Sequence, residues 1–186
     1  MNPTYNKKDF DDLSTNLKDL AYSYLEKYNP SKQQLKVYLL KKYLTKFSGS
    51  KSKKEVSKLI DEILHNLEKN KIINDSLYAD SKARMFLRRG YSINKINQSL
   101  KIKGIDQTHI KNSIAKIKSN NIEPDFNSAL KLCKRRRIGP TRPEANRELF
   151  YKKDMGILAR AGFSFEMSKR VLKLDKIEFN KLIKFI

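Results

Sequence analysis

Apolar residues recur every three or four positions along most of the chain, and glycine and proline fall between these periodic stretches. This spacing predicts α-helices, because residues three and four apart lie on one face of a helix. The clearest stretch runs from Asp75, a predicted N-cap, to Gly90, a predicted left-handed helix stop. Within it, Tyr78, Ala83 and Phe86 recur at helical spacing. Strand patterns are absent, so the sequence predicts an all-α fold.

An arrangement of three short helices recurs along the chain. In one unit, Ser92 and Asp106 are predicted to cap the second and third helices. In an earlier unit, Ser31 and Gln34 form a predicted capping box at the matching position. Recurrence matters because a single unit of this size buries little apolar surface by itself.

The sequence therefore predicts three tandem three-helix modules. The first covers residues 9–70, with a polar insert near residues 45–55, and the second covers residues 71–120. The third covers residues 121–186 and includes the C-terminal tail. Its last predicted helix contributes Phe165, Met167, Val171 and Leu172 to the apolar face.

Charge dominates the composition of this 186-residue chain. It has 41 Lys and Arg residues against 20 Asp and Glu, a formal net charge of +21 and a pI of about 10.0. Such an excess predicts a polyanionic or acidic partner. No apolar run approaches the roughly 20 residues that a membrane span needs. One cysteine and a polar N-terminal start without a signal-peptide pattern favour the cytoplasm.

Catalytic and metal-binding motifs are lacking in the sequence. Neither a GxxxxGK phosphate loop nor a GxGxxG motif occurs, and the two histidines, His65 and His109, belong to no HExxH. Cys133 lies in register with Phe126 and Leu130, which predicts a small buried side chain rather than a nucleophile. We expect no catalytic residue, no metal and no cofactor, and therefore a protein that is not an enzyme.

The candidate functional residues are all cationic. All ten arginines lie between Arg84 and Arg170. Arg84 and Arg88 are four apart and share a helix face, and the densest cluster is Lys134-Arg135-Arg136-Arg137, followed by Arg142. Such clusters bind phosphates or acidic side chains, but tetrabasic runs also occur as ordinary solvated helix ends. The aromatic residues Tyr91 and Phe163 could stack on bases, but their positions after helix stops favour packing in the core.

The ordered set of these segments resembles the RecX family of regulatory proteins, which are negative modulators of the RecA recombinase. Residues 21–42 resemble the first module of that family, and KRRRIGPTR with ILARAGFSFEMSKRVL resembles the last. The match in the central module comprises Leu67, Asn74-Asp75, Tyr78-Ala79, Arg89-Gly90-Tyr91-Ser92, Ile96, Leu100 and Lys103-Gly104-Ile105. Departures are Lys27, where many members have Arg, Asn74 in place of a frequent acid, and the long insert around residues 48–54.

The resemblance implies an elongated, curved, non-enzymatic array that docks on RecA filaments on DNA. It also implies inhibition of RecA ATPase, strand exchange and co-protease activity. Matched positions assign the binding of RecA or DNA to Arg84, Arg88, Arg89, Lys95, Lys103, Arg135, Arg136, Arg137 and Arg160. The sequence has no heptad repeat that would indicate a coiled-coil dimer, so we expect a monomer.

Two alternatives remain open at this point. One is a sequence-independent DNA- or RNA-binding helical module without a RecA partner. The other is a helical enzyme, for example a nuclease, that uses scattered acids and a borrowed metal.

Overall fold

The computed structural model describes residues 7–46 and 52–185, and of residues 7–10 it describes only the backbone. The described residues form ten α-helices and one 3₁₀ turn, Gly139–Thr141, and contain no strand. The helices are α1 (Lys7–Lys27), α2 (Lys32–Lys46), α3 (Lys53–Lys69), α4 (Asp75–Arg88), α5 (Ile93–Ile102), α6 (Gln107–Ser119), α7 (Pro124–Arg136), α8 (Glu144–Arg160), α9 (Phe165–Leu172) and α10 (Lys176–Ile183). The predicted all-α fold is confirmed. None of the described helices is long and apolar enough to cross a membrane.

The chain divides into two compact units. Unit 1 extends to Tyr78 and includes Lys103–Ile105, and unit 2 consists of Ala79–Ile102 and the chain from Asp106 onward. The division into three modules at residues 70 and 120 is a different subdivision, and it stays a prediction. Part of the polar insert, residues 47–51, lies outside the described residues.

The core of unit 1 lies among the first three helices. It includes Leu17 of α1, Leu35 and Leu39 of α2, and Ile60 and Leu64 of α3, all fully buried. The buried residues of each helix recur at three- and four-residue spacing, as Leu35 and Leu39 do on α2. One apolar face of each helix therefore packs against the other two helices. After the insert, Ser52 and Glu55 form a capping box that begins α3.

The principal core of unit 2 lies among α7, α8, α9 and α10. Phe126, Leu130 and Cys133 are buried on α7, as predicted, together with Leu158 of α8 and Val171 of α9. Two features differ from the prediction. Phe165 is 61% exposed rather than part of the core, and α10 adds a further helix whose Phe179 packs into it.

The N-termini of α2 and α5 are buried and are held in the same way. Ser31 and Ser92, which precede these helices, are fully buried. The Ser31 and Gln34 capping box forms as predicted, and the Lys95 N–H donates to the Ser92 hydroxyl. Both predicted caps are therefore confirmed.

A carboxylate from later in the chain supplies a second acceptor at each of these N-termini. Asp75 Oδ1 accepts the Lys32 N–H at 2.8 Å within unit 1, and Asp125 Oδ1 accepts the Ile93 N–H at 2.7 Å within unit 2. Asp75 is thus not the N-cap of its own helix, since the Asn74 side chain accepts the Leu77 N–H there. The prediction that Asp75 caps α4 was wrong because its carboxylate binds a helix 43 residues away in sequence.

Two glycines complete this repeated contact. Gly104 has φ +75° and Gly162 has φ +90°, backbone conformations that favour glycine. A Cβ at Gly104 would overlap the Gln33 side chain in unit 1, and a Cβ at Gly162 would overlap Ser92 and Lys95 in unit 2. The preceding carbonyls are used as well. The Ser31 hydroxyl donates to Lys103 O at 2.6 Å, and the Ser92 N–H donates to Ala161 O at 3.0 Å.

We expect Asp125→Ala to lower the free energy of unfolding by about 1–2 kcal/mol, because it removes a charged acceptor from a buried helix N-terminus. Urea unfolding followed by circular dichroism measures this change. Asp12→Ala is the matched control, since Asp12 is exposed on α1 and makes no hydrogen bond within the described part of the chain. Equal unfolding midpoints for the two variants would contradict the proposed role of Asp125.

Candidate functional site

Eight of the nine predicted binding residues lie in unit 2, and Lys103 lies in unit 1. The seven arginines among them are all exposed, whereas Lys95 and Lys103 are half-buried. The exposed set consists of Arg84, Arg88, Arg89, Arg135, Arg136, Arg137 and Arg160.

Arg142, which the sequence placed with the tetrabasic cluster, has a structural role instead. Its Nε and Nη2 donate to the two carboxylate oxygens of Asp154 at 2.7 and 2.8 Å, and Asp154 is 1% exposed. The Gly139 N–H donates to the same carboxylate at 2.8 Å. The hydrogen bond to Asp154 raises the pKa of Arg142. The grouping of Arg142 with the binding cluster was therefore wrong, because a buried carboxylate twelve residues later holds its guanidinium.

The other two arginines outside the predicted set are also engaged. Arg147 Nη2 donates to the carbonyl oxygens of Leu172 and Leu174, at 2.8 and 2.6 Å. Arg170 forms two hydrogen bonds to the Glu123 carboxylate and lies over the Phe126 ring, 4.1 Å from its centroid. These bonds lower the pKa of Glu123 and raise that of Arg170.

The seven exposed arginines of the predicted set differ from these three. None of their guanidinium groups makes a hydrogen bond or ion pair to any residue in the described ranges 7–46 and 52–185. Their donors are available to an external anion, and a guanidinium can hold a carboxylate or phosphate with two parallel hydrogen bonds. We call these seven residues the free arginines.

The segment that follows α4 lies against α7, and both carry free arginines. The end of α4 lies against α7, since the Ser128 hydroxyl donates to Tyr91 O at 2.8 Å, and a Cβ at Gly90 would lie 2.8 Å from Leu132 Cβ. Arg89 directly precedes Gly90. On α7, Arg135 and Arg136 lie one turn beyond Leu132, on the same side of the helix. The residues that end α4 and the residues that lead into the arginines of α7 are thus neighbours within unit 2.

A cleft of about 320 Å³ along α4 places side-chain amide groups beside two of the free arginines. Arg84 and Arg88 of α4 line it with Lys116, Asn120 and Asn121. These last three residues are on or just after α6, more than twenty residues from the arginines, and no local spacing in the sequence reveals them.

Asp80 occupies one wall of this cleft and forms its ion pair with Lys116. Its carboxylate accepts hydrogen bonds from Ser113 Oγ at 2.6 Å and from Lys116 Nζ. Burial raises the pKa of Asp80, but the bonds from Lys116 and Ser113 outweigh it and hold the pKa below its usual value, with a further contribution from the charge of Arg84. Asp80 is therefore ionised at neutral pH and pairs with Lys116.

The aromatic candidates Tyr91 and Phe163 and the possible nucleophile Cys133 pack in or against the core. Phe163 is buried, and Tyr91 packs on the core with its ring stacked 5.5 Å from that of Phe86. Burial, reinforced by the charge of Asp154, raises the pKa of Cys133 to about 12, so the thiol stays protonated. His65 is exposed and His109 is half-buried. Within the described residues, no cluster of His, Cys, Asp and Glu could hold a metal ion.

We expect Arg142→Gln to lower the free energy of unfolding by about 3 kcal/mol, because it leaves the buried Asp154 carboxylate without its charged partner. Arg136→Gln, which removes a free arginine, is the matched control. It should change the free energy of unfolding by less than about 0.5 kcal/mol. Urea unfolding of both variants distinguishes the two classes of arginine, and similar losses of stability would refute the distinction.

Comparisons with known proteins place the chain in a family. No family model matches it. It is 32% identical over 161 residues to regulatory protein RecX of Myxococcus xanthus (strain DK1622), which covers 85% of this chain and 84% of the relative. It is 28% identical over 113 residues to regulatory protein RecX of Agrobacterium fabrum (strain C58), covering 61% of this chain and 58% of the relative.

A crystal structure of regulatory protein RecX has the same fold. It superimposes with a TM-score of 0.58 at 22% identity, covering 87% of this chain and 72% of the other. The long match to the Myxococcus xanthus protein, in agreement with the motifs of the central module, shows that the chain belongs to the RecX family of regulatory proteins.

Proposed function

We propose that this RecX-family protein binds RecA filaments on DNA and inhibits RecA ATPase, strand exchange and co-protease activity. The single observation that supports this proposal best is the set of free arginines in unit 2, which coincides with the residues matched to the family's binding positions. The protein acts as a non-enzymatic, cytoplasmic monomer and needs no cofactor.

The physical basis of inhibition is the spanning of successive RecA protomers. In this proposal one cationic surface consists of Arg88, Arg89, Arg135 and Arg136. Arg137 and Arg160 add two further guanidinium groups. These groups bind acidic side chains of RecA, DNA phosphates, or both. Contacts carried by one chain raise each other's effective concentration, so many weak contacts add up to strong binding. A protein bound to two protomers hinders the relative motion that ATP hydrolysis and strand exchange require.

An array of three modules lengthens this contact. The repeated contacts at Ser31 and Ser92 are consistent with such an array. Lys103 of unit 1 and Lys95, at the start of α5 in unit 2, are further binding residues in this proposal.

Hydrolysis of ATP by the cognate RecA on single-stranded DNA tests the function directly. Titration of the protein at amounts well below one per RecA is expected to inhibit hydrolysis without effect on an unrelated DNA-dependent ATPase. Absence of inhibition, with binding to bare nucleic acid intact, would favour the plain nucleic-acid-binding module. That module would also bind free DNA or RNA as tightly as it binds filaments, with an affinity that falls steeply with salt.

The contribution of the tetrabasic cluster is tested by neutralising Arg135 and Arg136 to Gln and Arg137 to Asn. Asn suits position 137 because Arg137 has φ 53°, and Asn tolerates the left-handed conformation. Three lost contacts of about 0.5–1 kcal/mol each should raise the inhibitory concentration at least about tenfold. Helicity should persist by circular dichroism.

The matched control neutralises three exposed cations of unit 1, Lys41, Lys58 and Lys69, to Gln. It removes the same net charge from another surface, and we expect inhibition to change by less than about twofold, within the range of ordinary surface substitutions. Equal losses in the two triple variants would show that only net charge matters.

A further inference from the structure

An apolar groove lies between α8 and α9 of unit 2, and none of the predicted binding residues lines it. Its volume is about 390 Å³. Six of its lining residues are Met155, Gly156, Ala159, Phe163, Phe165 and Ser168. Such a volume accommodates a large apolar side chain together with part of its backbone.

Gly156 forms part of the wall where a helix ordinarily has a larger residue. A glycine inside a helix destabilises it relative to alanine. Nothing in the described chain requires a glycine here, because a Cβ would have only Arg160 Nη1 as a neighbour within 4 Å, at 3.5 Å. The space that the missing side chain leaves is open to the groove, which suits the close approach of another molecule.

Ser168 supplies an unused polar group to the same groove. It is 1% exposed, and its hydroxyl makes no hydrogen bond to any residue that the structure describes. A buried hydroxyl without a partner is unfavourable, so it is rare unless something outside the chain satisfies it. Less than 1 Å² of the hydroxyl oxygen is accessible, so a backbone carbonyl or N–H of an inserted segment reaches it when the side chains that line the groove shift on binding.

Phe165 extends the apolar surface outward from the groove, with Lys169 over its ring, Lys152 in the groove lining and the exposed Glu166 next to it in sequence. Its side chain is 61% exposed, and Lys169 Nζ lies 5.9 Å from its ring centroid. Lys152 is the one charged residue among those that line the groove in the described chain. The combination favours an occupant with an apolar side chain flanked by carboxylates.

We propose that this groove docks an acidic protein segment that inserts one apolar side chain between α8 and α9. The Ser168 hydroxyl hydrogen-bonds to the backbone of the segment, and Lys152 and Lys169 pair with its carboxylates. A protein segment fits better than a nucleic-acid base, since a base would bury several polar edge atoms against an apolar wall that offers one hydroxyl. The inference rests on the proposed function for the identity of the partner, which is RecA.

The test uses Gly156→Leu, with Gly156→Ala as its matched control. Both variants remove a helix-destabilising glycine, so neither is expected to lower the melting temperature. Leucine fills the groove, whereas alanine adds one methyl group beside it. Binding to cognate RecA–DNA filaments and to the same single-stranded DNA alone is measured by interferometry, with melting curves by circular dichroism.

We expect Gly156→Leu to weaken filament binding at least about tenfold, the loss typical of a blocked anchor pocket, and Gly156→Ala to weaken it less than about threefold. Binding to bare DNA should be unchanged in both. Phe165→Ser provides a second variant, because Phe165 is exposed and its loss leaves the core intact, and it should weaken filament binding in the same direction.

Each other outcome overturns the inference in a recognisable way. Full filament binding by Gly156→Leu and Phe165→Ser, with the unaltered protein inhibiting RecA, would overturn the groove and leave the proposed function standing. Equal losses for leucine and alanine would exclude groove filling as the cause. A parallel loss of DNA binding would identify a base as the occupant. Failure of the unaltered protein to bind filaments would overturn the groove and the proposed function together.

Discussion

The need to satisfy the buried N-termini of α2 and α5 governs how this chain folds. The first N–H groups of a helix have no partner inside the helix, and burial denies them water. Ser31 and Ser92 supply one acceptor each, and Asp75 and Asp125 supply another from a helix that comes later in the chain. Each unit contains one such contact, which joins a helix start to the first turn of a later helix.

The same constraint explains two glycines that local helix rules explain only in part. Gly104 and Gly162 follow helix ends and adopt the left-handed backbone conformation. Glycine at this position is common after α-helices. Their lack of a side chain has a second consequence, since it lets the preceding carbonyl reach the start of α2 or α5. One glycine therefore serves both as a helix stop and as a contact with a distant helix.

The arginines divide according to what the fold offers them. Three arginines have acceptors within the chain. Arg142 binds a buried carboxylate, Arg147 binds two backbone carbonyl groups and Arg170 binds a glutamate. The free arginines have no such acceptor among residues 7–46 and 52–185, and the net charge of +21 leaves too few carboxylates to neutralise them. Uncompensated guanidinium groups attract negatively charged partners.

The sequence by itself determined the helical class, the caps at Ser31, Ser92 and Asp106, the burial of Cys133 and the motifs of the RecX family. These follow from spacing within a single turn or from short ordered motifs, and neighbours in sequence decide them. Only the tertiary structure decided which partner Asp75 and Arg142 take, why Phe165 is exposed, and how Gly156 and Ser168 meet in one groove. Those outcomes depend on residues that lie far apart in sequence and become neighbours only when the helices pack, and no local pattern records which distant groups will meet.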